Sequence, residues 1–254
     1  MPPIDLNCDM GEAFGNYPMP NDLVLLEHVT SVNIACGFHA GDPGVMQATV
    51  RAALERGVAI GAHPGLPDLQ GFGRREMQIS MREAYQVTLY QLGALYGFVR
   101  AAGGRLAHVK AHGALYNMAA RDIELAKAIV EAVRDFDPGL LVYVLAGSKM
   151  VDAAAQAGMQ SVSEVFADRT YQDDGALTPR TQPNAMIGNE EQAISHALRM
   201  ATQHEVVSVN NRVISLKAET LCLHGDGEHA VDFAKTIRAR LKSEGITVQA
   251  PLSR

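Results

Sequence analysis

Several features are scarce or missing in this chain of 254 residues, and each absence excludes a class of protein. The three cysteines, Cys8, Cys36 and Cys222, lie far apart without CxxC spacing. Such isolated cysteines disfavour a disulfide framework and a thiolate zinc site, so we expect reduced thiols in the core. No stretch approaches the ~20 apolar residues that span a bilayer, and no cationic segment with an apolar run opens the chain. We therefore expect a cytoplasmic protein with no membrane partner.

Positive charge is scarce as well. The chain has 22 basic against 28 acidic residues and a formal net charge of -6. A nucleic-acid binder needs a basic stripe to offset the phosphates, so we expect no nucleic-acid partner.

Three common sequence signatures are missing too. There is no GxxxxGK[ST] phosphate loop, no GxGxxG after a strand and no GxSxG elbow, which disfavours a self-contained nucleotide site and a serine hydrolase. The segment Ala146-Gly147-Ser148-Lys149 is too short to cradle a triphosphate. If a nucleotide is used, another chain is expected to supply most of its site.

The chain does contain a regular alternation of short, β-branched apolar runs with longer helical stretches. Several helices end in glycine directly before the next run, and Asp42-Pro43 and the Ser80/Glu83 pair are typical helix starts. The pattern predicts seven strands, at residues 4–9, 32–36, 58–63, 106–112, 140–146, 161–167 and 220–224. It predicts main helices at 45–56, 81–102, 123–136, 149–157, 190–202 and 228–243, with a small hairpin at 206–209 and 212–216.

This alternation predicts a parallel sheet with right-handed crossovers. Polar residues recur at the carboxyl ends of several strands, and in a closed barrel all those ends face one mouth. An open sheet would instead concentrate its site at one switch point. We therefore predict an α/β fold, a seven-stranded (β/α) barrel, in a single domain over residues 1–254. The long Gly/Pro-rich segments 64–79 and 168–188 follow strands on the same side and are candidate lids.

Three of the predicted strands carry polar side chains on one face. These sets are Asp5, Asn7 and Asp9; His108, Lys110 and His112; and Cys222, His224 and Asp226. Burying a neutral polar group without a partner costs ~2–7 kcal/mol, and burying a charge costs more. We therefore expect these groups to converge on one another, on water or on a ligand.

Four histidines, His39, His63, His112 and His224, lie at or just beyond predicted strand ends. A single histidine there is often a satisfied structural residue, but four at equivalent positions indicate a shared site.

Lys110 is a sharper signal, because lysine is rarely buried without a partner. It forms either a structural ion pair with Asp5, Asp9 or Asp226, or a contact with an anion or a developing oxyanion. Asp9 and Glu12 stand where a general base or a metal ligand would lie.

Two later segments contain candidate substrate contacts. Arg169 follows the sixth strand and either binds an anionic substrate group or forms a surface ion pair. Tyr116 and Asn117 are expected to open the loop after the fourth strand, where they could orient a substrate.

Six phrases stand out when taken together: DLNCDMGE (5–12), NIACGFHAGD (33–42), GAHPG (61–65), VKAHGALY (109–116), EVFADR (164–169) and LHGD (223–226). In this order, over nearly the whole chain, they closely resemble the LamB/YcsF family of bacterial 5-oxoprolinase A subunits. The resemblance implies a distorted barrel of the glycoside hydrolase/deacetylase type. It also implies opening of 5-oxo-L-proline to L-glutamate, with ATP as co-substrate, Mg²⁺ at a partner subunit, and 5-oxoprolinase subunits B and C as partners.

On that basis we assign provisional roles to the polar residues. Asp9, His39 or His63 would activate water, and Lys110 would hold a departing phosphate or developing negative charge. His112, His224 and Asp226 would orient these groups or relay protons. The candidate substrate contacts are Asn7, Glu12, Asn117 and Arg169.

Two other functions stay open from the residues. A metal-dependent amidohydrolase or deacetylase would bind a divalent cation through Asp9, His39 and His63. A non-catalytic scaffold would only bind a lactam or partner subunits. Whether a metal binds at the strand ends is left open.

Overall fold

A closed barrel of seven parallel strands forms the core of the computed structural model, which describes residues 2–223 and 230–252. The described residues form nine strands in all: β1 (Asp5–Met10), β2 (Ser31–Ala35), β3 (Ala59–His63), β4 (Leu106–Lys110), β5 (Leu141–Leu145), β6 (Ser161–Phe166), β7 (Glu205–Val207), β8 (Val213–Ser215) and β9 (Thr220–Leu223). The barrel order is β1-β2-β3-β4-β5-β6-β9, closed by pairing of β9 with β1. The predicted seven-stranded α/β barrel is confirmed, as is the hairpin, which β7 and β8 form.

Helices surround the barrel. They are α1 (Asp22–Leu25), α2 (Pro43–Glu55), α3 (Met81–Ala101), α4 (Gly113–Arg121), α5 (Ile123–Phe136), α6 (Lys149–Gln156), α7 (Glu190–Gln203) and α8 (Ala230–Ser243). The predicted capping box is present at α3, where Ser80 and Glu83 bond each other's backbone N–H groups. Within residues 2–223 and 230–252, no helix is both long and apolar enough to cross a membrane.

One prediction for the segment after β4 is wrong. Tyr116 and Asn117 lie in helix α4, not at the start of a loop, and β4 ends at Lys110, before His112. His112 is the N-cap of α4 but makes no side-chain capping bond, and the first helical residue is Gly113. The helix therefore begins without the capping signals that sequence reasoning uses.

Two glycines allow side chains to enter the barrel and its mouth. A Cβ on Gly61 of β3 would overlap the imidazole of His108. The lack of a side chain at Gly61 therefore leaves space for that ring inside the barrel. A Cβ on Gly73 would lie 2.7 Å from the Cβ of His39 and 2.8 Å from Cδ2 of His112. The segment 64–79, predicted as a lid, thus packs directly on two histidines of the mouth.

Candidate active site

A cavity of about 710 Å³ opens at the carboxyl ends of the barrel strands. Eight of the residues singled out from the sequence line it: Asp9, Glu12, His63, Lys110, His112, Tyr116, Asn117 and Arg169. Asn7 and His39 lie behind this lining, in contact with it. His224 and Asp226 fall outside the described residues.

Asp5, the first residue of β1, is a buried carboxylate. Its carboxylate accepts hydrogen bonds from four hydroxyls, those of Thr30 (2.6 Å), Ser31 (2.7 Å), Thr220 (2.6 Å) and Tyr143 (2.9 Å). Burial raises the pKa of Asp5, and these hydroxyls oppose the rise. Asp5 is therefore satisfied by four hydroxyls, and the carboxylates that pair with Lys110 are those of Asp9 and Glu164.

Lys110, the last residue of β4, places its ammonium group between two carboxylates. Nζ lies 2.9 Å from Asp9 Oδ1 and 2.7 Å from Glu164 Oε1, and it also donates to Asn7 Oδ1 at 3.2 Å. Burial opposes the charged form, but the carboxylates outweigh it and raise the pKa of Lys110 well above its usual value. The amine is therefore a largely buried group that lines the cavity and is charged at neutral pH.

Glu164 was not among the residues singled out from the sequence. It is fully buried in β6, and its Oε2 accepts a 2.6 Å hydrogen bond from the Tyr116 hydroxyl. Its Oε1 accepts from Asn7 Nδ2 at 3.0 Å in addition to its contact with Lys110. A glutamate in the interior of a predicted barrel strand is the same kind of signal as Lys110, and it would have identified this residue.

Asn7 links the hydrogen-bond network around Asp5 to the one around Lys110. Its Nδ2 donates to Thr220 and Glu164, and its Oδ1 accepts from Asn33 at 2.7 Å as well as from Lys110. All four of these hydrogen bonds join the Asn7 amide to protein groups. Asn7 therefore holds the ammonium group of Lys110 in position.

Three imidazoles gather beside Asp9 at the cavity wall. His63 Nε2 lies 3.2 Å from Asp9 Oδ2 and 3.0 Å from His112 Nδ1. His39 stacks on His112 with ring centroids 3.7 Å apart, and its Nε2 lies 3.1 Å from Glu12 Oε1. Residues from four consecutive strands and their following loops thus meet at one point.

Backbone carbonyls fix two of these rings. Nδ1 of His63 lies 2.7 Å from the carbonyl oxygen of Lys110, and Nε2 of His112 lies 2.8 Å from that of Phe72. Because a carbonyl oxygen only accepts, each of these nitrogens carries a hydrogen. The opposite nitrogen of each ring faces the cluster. The Nδ1 of His39 has no hydrogen-bond partner among the described residues.

The protonation states of the cluster differ from residue to residue. Burial lowers the pKa of His39 and of His112 well below the usual value, so both rings are neutral. Burial also acts against a charge on His63, but the adjacent Asp9 carboxylate outweighs it and raises the pKa of His63. Burial raises the pKa of Glu12, and its neighbouring histidines oppose the rise.

The same cluster has the composition of a metal site. One ligand atom from each of Glu12, His39, His63 and His112 lies within 4.8 Å of all the others. This set differs from the Asp9, His39 and His63 set predicted from the sequence, since Glu12 and His112 take the place of Asp9.

Arg169, in the segment that follows β6, also lines the cavity and is buried. Its guanidinium donates to the carbonyl oxygens of Thr178 (2.6 Å) and Ala185 (3.2 Å), both in the long segment after β6. Burial, with a further contribution from Arg180, lowers the pKa of Arg169 to about 10, so it stays charged at neutral pH. The alternative of a surface ion pair is therefore wrong, and the exposed Asn117 lines the same cavity.

Comparison with known proteins places these features in a family. A sequence model of the LamB/YcsF family matches residues 4–254. The chain belongs to the LamB/YcsF family. The resemblance seen in the sequence is therefore confirmed over nearly the full length.

Three relatives show how similar this chain is to known members of the LamB/YcsF family. The 5-oxoprolinase A subunit of Tolumonas auensis is 56% identical to this chain, covering 98% of it and 100% of the relative. The 5-oxoprolinase A subunit of Bacillus subtilis is 57% identical, covering 97% and 96%. The crystal structure of the lactam utilization protein from Thermus thermophilus matches with a TM-score of 0.92 at 45% identity, covering 99% of this chain and all of that chain.

Proposed function

We propose that this chain acts as the A subunit of a 5-oxoprolinase, opening the ring of 5-oxo-L-proline by hydrolysis to give L-glutamate. The observation that carries the proposal is the 56% identity, over 98% of this chain, to a relative bearing that name. The cavity supports it, because its groups match the demands of hydrolysing an amide.

Ring opening requires water to add to the carbonyl carbon, the C–N bond to break and the nitrogen to gain a proton. A lactam is a resonance-stabilised amide, so this addition is slow without activation. Phosphorylation of the lactam oxygen would make the carbon more electrophilic. The acyl phosphate left after C–N cleavage would then lose phosphate to a second water molecule.

We assign proton transfer from the attacking water to Asp9. Among the three candidates, the Asp9 side chain is the most exposed to the cavity, at 13% against 1% for His63 and 0% for His39. A positioned base of this kind contributes ~10²–10⁴-fold to the rate. His63, with Nε2 3.2 Å from Asp9, would set the position of its carboxylate, and His39 and His112 would keep His63 and Glu12 in place.

Lys110 would stabilise the negative charge that develops on the reacting oxygen or on the phosphate. Its charge is fixed by Asp9 and Glu164 before substrate arrives, so little reorganisation is needed at the moment of reaction. Asn7 accordingly acts through Lys110 and not by touching the substrate. We retain His224 and Asp226 as proposed members of the same site.

Arg169 and Asn117 would bind the substrate. The carboxylate of 5-oxo-L-proline is the natural partner for a buried guanidinium, which suits planar carboxylates. Glu12 would also contact the substrate.

We further propose that ATP is the co-substrate and that subunits B and C supply most of its site, with Mg²⁺ bound there. The chain carries no phosphate loop of its own. The complex would act in the cytoplasm on a small lactam.

The decisive test measures glutamate release from 5-oxo-L-proline by the chain alone, and then with subunits B and C and ATP. The proposal expects turnover only in the complete mixture. Turnover by the chain alone, without ATP, would favour an independent amidohydrolase instead, and no turnover in any mixture would reject the assignment.

A matched pair of variants ties that activity to the cavity. Asp9→Asn removes the base, so the complete mixture should lose about a hundredfold in rate. Asp137→Asn makes the same chemical change after α5, where the oxygen that accepts from Gly139 N–H is retained, so the rate should be unchanged. Equal rates for the two variants would contradict the role of Asp9.

A further inference from the structure

The contact between His63 and His112 needs a positive charge within it. Both rings donate to backbone carbonyls with their outer nitrogens, at 2.7 Å and 2.8 Å. In neutral rings the inner nitrogens, His63 Nε2 and His112 Nδ1, therefore both present lone pairs, yet they lie 3.0 Å apart. Two acceptors at this distance repel each other unless a proton or a cation lies between them.

The surrounding atoms have the spacing of a coordination shell. His39 Nε2 lies 3.1 Å from Glu12 Oε1, and His112 Nδ1 lies 3.5 Å from the same oxygen. Ligand atoms bound to zinc at about 2.0–2.2 Å in a tetrahedron are about 3.3–3.6 Å apart. These three contacts, including the 3.0 Å between His63 and His112, would need to change by only a few tenths of an ångström. The remaining separations, which all lie within 4.8 Å, would need to shorten by about 1.5 Å at most.

Two of the three imidazoles, those of His63 and His112, are also held as metal ligands usually are. A coordinating imidazole commonly donates its other N–H to a carbonyl or carboxylate, which fixes the tautomer. His63 and His112 do this, and Gly73 lets the loop backbone approach both His39 and His112 closely.

We propose that Glu12, His39, His63 and His112 form a binding site for one divalent transition-metal cation, and that the preferred cation is Zn²⁺. Three imidazoles and one carboxylate suit zinc, whereas Ca²⁺ and Mg²⁺ prefer all-oxygen shells. With four protein ligands the shell would be closed, so the cation would neutralise the clustered lone pairs and hold the three imidazoles in place beside Asp9. The proposal that the cation binds is argued from geometry alone. Only a role of the bound cation in ring opening rests on the function proposed above.

The test titrates the full-length chain, stripped with a chelator, with Zn²⁺ near neutral pH and without lactam, ATP or partner subunits. Calorimetry should show one Zn²⁺ per chain with a Kd of about 1 µM or tighter, and the melting temperature should rise. His112→Gln and Glu12→Gln should each weaken binding at least tenfold. His28→Gln, in the turn after α1 and away from the mouth, should bind like the wild type.

A second readout does not depend on whether variants fold. Co²⁺ bound to the wild-type chain should give the intense visible absorption of a four-coordinate site, and Zn²⁺ should abolish it. If no saturable binding occurs, if Co²⁺ stays colourless, or if folded cluster variants bind like His28→Gln, a proton on His63 explains the contact and the proposal is overturned. Because neither assay involves turnover, this failure is distinct from failure of the 5-oxoprolinase assignment.

Discussion

Nζ of Lys110 lies 2.7 Å from Oε1 of Glu164, with both side chains buried inside the barrel. Removing one partner of a buried ion pair leaves an uncompensated charge and costs about 3–5 kcal/mol. Lys110→Met should therefore lower the free energy of unfolding by about that amount, measured by urea denaturation. It should also reduce ring opening by the reconstituted complex by about a hundredfold or more, because charge stabilisation is lost.

The double variant Lys110→Met/Glu164→Gln separates these two effects. Replacing Glu164 removes one of the stranded carboxylate charges, so part of the lost stability should return while activity stays low. Near-normal turnover of a folded Lys110→Met chain would refute the role of Lys110 in the reaction.

The ring of His108 fills the space in the barrel interior where a side chain at position 61 would lie, and Gly61 has none. A Cβ at Gly61 would overlap that ring, and overpacking of this kind costs about 1–3 kcal/mol. Gly61→Ala should lower the urea midpoint accordingly. Gly93→Ala is the control, because Gly93 lies in α3 with no atom near its Cβ position, and alanine there should stabilise by about 0.5–1 kcal/mol. Equal effects from both variants would show that His108 does not fill the space beside Gly61.

The neutrality of His108 makes stability depend on pH. Burial, with help from Lys110, lowers the pKa of His108 from 6.5 to about 3. The unfolded chain then binds a proton below pH 6.5 that the folded chain does not, so the stabilising contribution is complete above pH 6.5 and is lost as pH falls towards about 3. Each pH unit in this window should remove about 1.4 kcal/mol.

The measurement compares urea unfolding of the wild type and of His108→Gln at several pH values between 6.5 and about 3. Glutamine cannot titrate, so the wild-type slope should exceed that of the variant by about 1.4 kcal/mol per pH unit. Parallel slopes would mean that His108 is already protonated in the folded chain.

Sequence patterns located the barrel and its mouth because strand alternation and helix stops are local signals. Lys110 was singled out for the same reason, since a charge inside an apolar strand is visible without a structure. Its partner in β6 was not, because pairing across 54 positions depends on the registers of β4, β5 and β6. Helix α4 was missed because it begins at Gly113 without a side-chain cap.

The histidine cluster illustrates the same limit. His39 lies four residues beyond β2, and its stacking on His112 depends on how the segment 64–79 packs over both rings. Loop packing of this kind leaves no period in the sequence, so the choice between Asp9 and Glu12 as a metal ligand could not be made before the fold was known.

Arg169 provides the last prediction, which concerns substrate binding. Its guanidinium is anchored by the carbonyl oxygens of Thr178 and Ala185, so its charge is held at the cavity wall before substrate arrives. Lysine keeps the charge but cannot keep both anchors and also bind a carboxylate in two places. With Arg169→Lys the KM for 5-oxo-L-proline should rise about tenfold or more while kcat changes little, as expected when binding is lost equally from substrate and transition state.

The control for Arg169 is Arg134→Lys, which makes the same exchange in α5, where Arg134 forms exposed pairs with Glu131 and Asp135. Such surface pairs contribute little, so KM and kcat of the complex should both stay at wild-type values. Steady-state kinetics at saturating ATP measures both constants for each variant. If Arg169→Lys lowered kcat with KM unchanged, the guanidinium would act in the transition state, and the carboxylate of the substrate would have to bind elsewhere in the cavity.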